Sequence, residues 1–309
     1  MFKSNRGTIF LEDAVVLQQT PVEGNQGVCR FEAPKCAAHA RPGAFVHITC
    51  DPLIPMRRPL SIMRVDADKG WVEVLFRVHG PGLTALAARK AGEKVSLLGP
   101  IGNGFTVHPE RPRPLMIAAG YGIPTMVFLA DRLRGRADAA WRPLVLLGSE
   151  NPFPFRVRPS QIVMAEMPKG AIACMPLMDK WGIASRLATK AGFPGCFDGG
   201  VAQLAEEWLR AVSPDVLAEV EVFACGPTSM LKEAAAVARK YAVPCQVSME
   251  EHMACAVGAC AGCTVAVETP DGPAMKRVCV DGPVFDATAV FSATPPTHFR
   301  MKSHTTRIS

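Results

Sequence analysis

Four cysteines near the C-terminal end constrain the fold of this chain more than any other feature of its sequence. Cys255, Cys260 and Cys263 have the spacing C-x4-C-x2-C, and Cys279 follows them. Four thiolates with this spacing are typical of a [2Fe–2S] cluster. The small residues between the first three cysteines let the backbone curl around such a cluster and leave N–H groups free to point at its sulfurs. The pattern predicts one-electron transfer, with three ligands in a tight loop and the fourth on a segment that returns to it.

Two other interpretations of the cysteines stay open. A structural zinc site prefers paired C-x2-C knuckles, and only Cys260 and Cys263 have that separation. The second alternative is a set of unligated core cysteines. A disulfide framework is disfavoured because the 309-residue chain has no apolar secretion signal at its N-terminus. Eleven cysteines without such a signal indicate the reducing cytoplasm.

The composition favours neither a membrane protein nor a nucleic-acid-binding protein. No apolar stretch approaches the roughly 20 residues needed to cross a bilayer. The net charge of +6 is mild, and the basic residues form no stripe interleaved with aromatic residues. The basic tail at 291–309 is interpreted as a solvated end or as a contact with a partner protein.

Two segments of different character precede the cysteines. The first hundred residues contain short stretches rich in aromatic and β-branched residues, with Pro and Gly between them, which indicates a small barrel. From about residue 111 the pattern changes to a buried strand at 115–119, a glycine turn, a helix from 125 to about 133 and a second strand at 144–147. This order is typical of a βαβ nucleotide-binding domain.

The sequence thus predicts a β barrel, an α/β nucleotide-binding domain and a small C-terminal iron–sulfur module. Further elements are predicted in the second half: helices at 183–191, 201–212 and 229–241 and a strand at 220–225. The predicted bounds are 1–110 for the barrel domain, 111–243 for the α/β domain, 244–290 for the module and 291–309 for the tail.

The first motif with a chemical interpretation is Arg58-Pro59-Leu60-Ser61. The planar guanidinium of Arg58 suits a phosphate oxygen, and the Ser61 hydroxyl can reach a flavin ring nitrogen or another polar group. Pro59 fixes the backbone between them. Downstream, a strand ends in a glycine turn and a short helix at 79–84, whose N–H groups can receive a pyrophosphate. An exposed arginine beside a turn is the alternative for Arg58.

Three further positions lie at predicted strand ends, where α/β sheets bind ligands. Gly120 and Gly122 have the position of a dinucleotide phosphate turn, although the sequence is not G-x-G-x-x-G. Glu150 can accept a ribose 2′-hydroxyl, which would favour NAD over NADP, or be a solvated surface residue. Cys225 precedes a Gly-Pro step and can pack against a nicotinamide ring or be a buried small residue.

Taken together and in order, these motifs resemble the ferredoxin–NAD(P) reductase superfamily and, within it, the family of dihydroorotate dehydrogenase electron-transfer subunits. The resemblance extends over nearly the whole chain. The residues that carry it, besides the four cysteines, are Arg58, Pro59, Leu60, Ser61, Leu75, Phe76, Arg77, Gly82, Leu83, Thr84, Gly120, Gly122, Cys225, Gly226 and Pro227.

The resemblance implies three cofactors: FAD in the barrel domain, NAD(H) in the α/β domain and [2Fe–2S] in the C-terminal module. It implies that Cys225 orients the nicotinamide and is not a nucleophile. It also implies a partner, an FMN-containing dihydroorotate dehydrogenase catalytic subunit in a heterotetramer, and a role in pyrimidine biosynthesis. Related alternatives are a diaphorase subunit of a hydrogenase or of a ferredoxin–NADP reductase complex. An alternative of another class is a non-enzymatic iron–sulfur or zinc module, or a redox sensor, which would carry no flavin.

The chain departs from the family pattern at several positions. The family commonly has glycines where this chain has Ala118 and Ala119, and proline where Thr125 stands, which bears on NAD binding. The turn before the short helix is one residue longer, so either Leu83 or Thr84 is the predicted flavin contact. The segment 151–200 is also longer, and packing or a subunit contact is its predicted role.

Overall fold

The N-terminal part of the structure, a computed structural model that describes residues 7–138 and 140–292, is a closed antiparallel barrel. Its strands are β1 (Phe10–Val22), β2 (Gln26–Glu32), β3 (Phe45–Thr49), β4 (Arg58–Asp66), β5 (Trp71–Arg77) and β6 (Lys94–Ile101). They pair in the order β1-β2-β5-β4-β3-β6, and β6 closes on β1. Helix α1 (Pro34–His39) follows β2, and α2 (Gly80–Ala87) follows β5. The predicted barrel is confirmed.

The alternation of side chains along the strands forms the barrel core. Val46 and Ile48 on β3 and Val72 and Val74 on β5 are fully buried and belong to one cluster. Because successive side chains of a strand point to opposite faces, these alternate residues point into the barrel together. The side chains between them, His47 and Glu73, lie on the other face of their strands and are also buried.

The second part is a seven-stranded sheet with helices on both faces. Its strands are β7 (Arg113–Ala119), β8 (Leu144–Gly148), β11 (Ala184–Thr189), β12 (Phe197–Asp198), β13 (Val220–Cys225), β14 (Cys245–Ser248) and β17 (Val284–Asp286). The strand order is β12-β11-β8-β7-β13-β14-β17, and only β17 pairs antiparallel. The main helices are α3 (Ile123–Arg134), α5 (Val201–Ala211) and α7 (Thr228–Lys240). These three helices and the α/β architecture were predicted correctly.

Strand β7 shows why an apolar run becomes a central parallel strand. Leu115 and Ile117 pack with residues of α5 and α7, whereas Met116 and Ala118 pack with residues of α3. All four side chains are fully buried. A strand covered on both faces needs apolar residues at every position, which explains the unbroken run.

The segment 151–200 contradicts one prediction. Residues 183–191 were expected to form a helix, but Ala184–Thr189 is strand β11, which pairs in parallel with β8. All but the first of its residues are buried, so neither a period of two nor one of 3.6 marks the segment. The rest of the segment contains β9 (Arg158–Pro159), β10 (Ala173–Cys174), α4 (Pro176–Lys180) and β12.

The cysteine motif lies in the connection between β14 and the edge strand β17. This connection includes the hairpin of β15 (Thr264–Thr269) and β16 (Gly272–Arg277). The short helices α6 (Pro214–Ala218) and α8 (Ala287–Val290) complete the described elements. Since β14 and β17 pair in the α/β sheet, the sheet continues into the range 244–290, and the domain bounds stay a prediction.

Two predictions concern the C-terminal tail and membrane-spanning segments. The predicted basic tail at 291–309 lies outside the described residues, apart from its first two positions. No helix within 7–138 and 140–292 is long and apolar enough to span a membrane.

Candidate functional site

Two clefts adjoin where the barrel faces the carboxyl ends of the parallel strands. The barrel cleft, of ≈ 580 Å³, lies between β4, β5 and α2 on one side and the segment 248–253 on the other. The strand-end cleft, of ≈ 370 Å³, lies over the ends of β7, β8 and β11. Arg77 and Tyr121 line both clefts, so the clefts meet at these two residues.

Most of the residues predicted to contact a flavin lie together in the barrel cleft. They belong to two neighbouring strands, β4 and β5, and to the helix that follows β5. The predicted residues that line this cleft are Arg58, Pro59, Leu60, Ser61, Leu75, Phe76, Arg77 and Leu83.

The Arg58 side chain lies at the first turn of α2. A Cβ added to Gly82 would stand 2.9 Å from its Nε and 3.1 Å from its Cζ, so the guanidinium rests on the glycine backbone. Only Nη1 has protein partners among the described residues, the carbonyls of Met56 and Arg57. The remaining N–H groups of the fork and those of the α2 turn are available for one anion. This arrangement fits the pyrophosphate of a dinucleotide such as FAD.

The neighbouring Arg57 has a different environment. Its Nη1 donates to the carbonyls of His47 and Ser96 at 3.1 and 2.9 Å, and its Nη2 donates to the Ser96 hydroxyl at 2.8 Å. Partial burial lowers the pKa of the Arg57 guanidinium. Arg57 therefore ties β3 to β6 within the barrel, and Arg58 alone of the pair is free to bind a ligand.

Three other predicted residues differ in what they can offer a flavin. The Ser61 hydroxyl lines the cleft and has no protein hydrogen bond within the described residues. Phe76 is 2% exposed and its ring packs in the barrel core against Gly27. Thr84 does not line the cleft, and its hydroxyl donates to the Gly80 carbonyl at 2.8 Å. Of the two candidates in this helix, Leu83 is the one in the cleft.

The opposite wall of the barrel cleft was not assigned by sequence reasoning. It begins at Ser248, the last residue of β14, and continues toward the cysteine motif with Met249, Glu250, Glu251, His252 and Met253. The available signal was the position of this stretch directly before Cys255, since a segment that leads from a parallel strand into a cluster loop starts at the carboxyl end of that strand. The wall joins the barrel cleft and the cysteines in one continuous piece of chain.

The predicted glycine turn forms a 3₁₀ turn, Gly120–Gly122, at the end of β7. A Cβ on Gly122 would lie 1.8 Å from the Cys225 carbonyl oxygen, so the turn packs directly on the end of β13. Gly120 has φ +53° and open space around its Cα.

Gly120 and Pro227 line the strand-end cleft. Gly226, at φ +152°, leaves no room for a side chain beside the Ala119 carbonyl. The two strand ends therefore approach closely enough to form one surface for a nucleotide.

Cys225 is 1% exposed and is not among the residues that line either cleft. Its thiol lies 3.5 Å from the Thr125 hydroxyl, on the first turn of α3. Burial, and to a smaller extent the charge of Glu250, raises the pKa of the Cys225 thiol to about 12. The thiol is therefore neutral at physiological pH, which agrees with a packing role and excludes a thiolate nucleophile. A contact with nicotinamide stays a prediction for this residue.

Glu150 lies in the strand-end cleft, two residues beyond β8. Its carboxylate accepts the Lys190 backbone N–H, at 3.3 and 3.2 Å to its two oxygens. This bond fixes the carboxylate at the cleft and leaves lone pairs free. Its place in the cleft is compatible with a ribose contact, which stays a prediction for this residue.

The four predicted ligand cysteines lie as two pairs. Cys263 Sγ and Cys279 Sγ are 3.3 Å apart, and Cys255 accepts the Cys260 backbone N–H at 3.4 Å and also interacts with the Cys260 thiol. The Gly262 N–H points at Cys260 Sγ at 3.4 Å. Two thiol pairs with backbone donors suit a two-iron cluster, in which each iron takes two thiolates. Within 7–138 and 140–292, no three His, Cys, Asp or Glu side chains converge as ligands of a single metal ion.

The cysteine loop favours the thiolate form of its first cysteine, Cys255. Burial acts to raise the pKa of the Cys255 thiol, but N–H groups of Cys260, Val257 and Ala259 lower it to about 7. Burial and the adjacent Cys263 raise the pKa of the Cys279 thiol to about 12. Of these two thiols, that of Cys255 is therefore the easier to deprotonate for metal binding.

Known proteins match this combination of fold and cysteine loop. Residues 250–291 match the iron–sulfur cluster binding domain of dihydroorotate dehydrogenase B. The chain is 34% identical to the dihydroorotate dehydrogenase B (NAD⁺) electron transfer subunit of Desulforamulus reducens, over 90% of this chain and 97% of that protein. It is 34% identical to the corresponding subunit of Bacillus caldolyticus, over 81% of this chain and 86% of that protein. The chain belongs to this family of electron transfer subunits.

The fold of this member of the dihydroorotate dehydrogenase B electron-transfer family also resembles solved reductases. An NADH-dependent reduced ferredoxin–NADP oxidoreductase superimposes with a TM-score of 0.69 and 24% identity, over 90% of each chain. A ferredoxin–NADP⁺ reductase from Neisseria gonorrhoeae, with bound FAD and NADP, superimposes with a TM-score of 0.54 and 13% identity, over 75% of this chain and 91% of that one. At these identities the likeness shows a shared ferredoxin-reductase fold. The family's iron–sulfur domain, matched at 250–291, contains all four predicted ligand cysteines.

Proposed function

We propose that this chain is the electron transfer subunit of an NAD-linked dihydroorotate dehydrogenase. It passes electrons between NAD(H), FAD and a [2Fe–2S] cluster, to or from an FMN-containing catalytic subunit that oxidises dihydroorotate to orotate in pyrimidine biosynthesis. Family membership and the iron–sulfur domain match support this function. The chain would act in the cytoplasm, in a heterotetramer with that catalytic subunit.

One observation carries the proposal: the segment 248–253 is at once a wall of the barrel cleft and the approach to Cys255. Because only Ala254 separates this wall from the first ligand cysteine, the cysteine loop must lie beside the barrel cleft. The strand-end cleft adjoins the same barrel cleft at Arg77 and Tyr121. A nucleotide site, a flavin site and a cluster site therefore follow one another in space, as electron transfer between them requires.

The residues have distinct tasks in this proposal. Arg58 and the first turn of α2 bind the FAD pyrophosphate, and the Ser61 hydroxyl hydrogen-bonds the flavin ring. Gly120, Gly122, Gly226 and Pro227 shape the surface for NAD(H). When bound, FAD supplies the exchange between a hydride pair and single electrons, and the cluster carries single electrons.

The task of the cysteine loop is to bind the cluster. Cys255, Cys260, Cys263 and Cys279 hold the cluster, and its N–H groups stabilise the thiolate charge. No general acid or base is required within this chain, because the proton chemistry of dihydroorotate belongs to the partner. The buried, neutral thiol of Cys225 is consistent with the absence of acid–base chemistry in this chain.

The test is the visible spectrum of the anaerobically purified full chain, before and after NADH. Flavin and cluster bands that both bleach with NADH are expected. In a separate, oxidised sample, addition of the catalytic subunit should allow dihydroorotate to bleach the same bands. A spectrum without flavin would overturn the proposal. Bleaching by NADH with no response to dihydroorotate plus the catalytic subunit would point instead to a diaphorase for another partner.

A further inference from the structure

Tyr121 is an aromatic residue at the junction of the two clefts, with no structural task of its own. The Gly120–Gly122 turn contacts β5 of the barrel as well as β7 and β13 of the sheet. Tyr121 is 53% exposed and lines both clefts. Within the described residues its hydroxyl has no hydrogen bond and its ring packs against no other ring. A large aromatic side chain that neither anchors the fold nor avoids water is well placed for a ligand.

The position of this side chain is fixed by its neighbours in the chain. Gly122 packs on the Cys225 carbonyl so closely that any Cβ there would clash, and α3 begins at the next residue. The turn can therefore move little relative to β13. Tyr121 consequently projects from a rigid support into the opening between the clefts, and only its side-chain torsions are free.

A dinucleotide that reaches a flavin must cross this junction. Its adenosine and ribose parts fit the strand-end cleft, where Glu150 lies, and its reactive ring must enter the barrel cleft. Tyr121 and Arg77 are the residues that both clefts share. Of these, Tyr121 offers a flat π face to a planar ring, and the oxidised nicotinamide is a cation that such a face attracts.

We propose that Tyr121 is the stacking residue for the nicotinamide ring of the dinucleotide at the flavin. This inference rests on the proposed NAD(H)-linked function and deepens it. Tyr121 contributes affinity for the nicotinamide half of the nucleotide and none for the ADP-ribose half. Its aromatic ring, not its hydroxyl, is the part that acts.

The experiment compares two ligands by isothermal titration calorimetry on the full chain with its cofactors. NAD⁺ carries the nicotinamide ring, and ADP-ribose lacks it. Tyr121→Leu should weaken NAD⁺ binding about tenfold, the effect of one lost stacking contact, and leave ADP-ribose binding unchanged. Tyr121→Phe should retain the wild-type affinity for both. Tyr241→Phe, at the far end of α7, is the control for loss of a tyrosine hydroxyl elsewhere in the fold.

Four results would overturn the inference. Wild-type affinity of Tyr121→Leu for NAD⁺ would show that the ring makes no contact, and tighter binding would show that it blocks the nicotinamide. Equal weakening of NAD⁺ and ADP-ribose would assign Tyr121 to the other half of the nucleotide. A wild-type protein that binds neither ligand would instead overturn the NAD-linked function, and this inference with it.

Discussion

The Arg58 guanidinium lies on the backbone of Gly82, with Nε 2.9 Å from the position that a Cβ on residue 82 would take. This contact joins the first residue of β4 to the first turn of α2. It brings a cationic fork and the N–H groups of a helix start to the same point of the barrel cleft. The absence of a side chain at residue 82 is what permits the approach.

Gly82→Ala is expected to weaken FAD binding about tenfold, because the new methyl group displaces the Arg58 fork from the phosphate position. The measurement is a titration of flavin-free protein with FAD, followed by quenching of flavin fluorescence. Gly135→Ala is the matched control, since its Cβ would meet no atom closer than 3.8 Å and its φ is −92°. Unchanged FAD affinity in Gly82→Ala would separate Arg58 from the phosphate.

Substitution of Arg58 should affect FAD binding, whereas substitution of Arg57 should affect the stability of the fold. Arg58→Ala is expected to weaken FAD between about tenfold and a hundredfold, with little change in the melting temperature of the flavin-free protein. Arg57→Ala should destabilise the flavin-free protein by about 2 kcal/mol, because the His47 and Ser96 groups lose their donors.

Thermal denaturation and FAD titration of both variants test this contrast. Arg58→Lys is a useful companion, because it keeps the charge and loses the planar fork. A large fall in melting temperature for Arg58→Ala, with unaltered FAD affinity, would contradict the assignment.

The features that sequence predicted well are local ones. The cysteine spacing specifies the loop because three of its ligands lie within nine residues, so little depends on the rest of the fold. The central strands and helices were also predictable, since long buried runs and amphipathic patterns survive any arrangement of their neighbours. The same holds for the turn Gly120–Gly122, which needs only a strand before it and a helix after it.

What sequence missed depends on tertiary packing. Strand β11 was taken for a helix because burial on both sides removes the periodicity that distinguishes the two. The ring of Phe76 points into the barrel because barrel closure decides which face of β5 is inside. The wall at 248–253 faces β4 and β5 across the barrel cleft, a contact between distant parts of the chain. No local pattern contains that information.

Cys255→Ser and Cys279→Ser should each abolish the [2Fe–2S] cluster while FAD remains bound. The serine oxygen replaces one thiolate in each of the two pairs, and the barrel cleft is left intact. Iron and acid-labile sulfide analysis, with flavin content measured on the same sample, gives the answer. Cys196→Ser, a half-buried cysteine outside the motif, is the control. Full iron and sulfide in either ligand variant would remove that residue from the site.

The two glycines of the nucleotide turn should differ in their tolerance of alanine. Gly122→Ala is expected to destabilise the protein by about 3 kcal/mol or more, since its Cβ would overlap the Cys225 carbonyl and force β7 and β13 apart. Gly120→Ala should cost only about 1 kcal/mol, because the space is open and the strain comes from φ +53°. Chemical denaturation measures both. Equal effects would show that the close approach of the strand ends is not rigid.

Glu150→Gln is expected to lower the preference for NADH over NADPH about tenfold. The carboxylate is fixed at the strand-end cleft by the Lys190 N–H, where it can accept a ribose 2′-hydroxyl and repel a 2′-phosphate. The amide removes the repulsion but keeps an acceptor oxygen, so NADPH affinity should rise more than NADH affinity falls. Titration of each variant with both nucleotides gives the ratio. Glu233→Gln removes a carboxylate that α7 contributes to the same cleft. It should leave the ratio unchanged, because no backbone N–H among the described residues fixes the Glu233 carboxylate as the Lys190 N–H fixes that of Glu150. If both substitutions shift the ratio equally, the overall negative charge of the cleft discriminates between the nucleotides. Glu150 would then have no specific role in recognising the ribose 2′-hydroxyl.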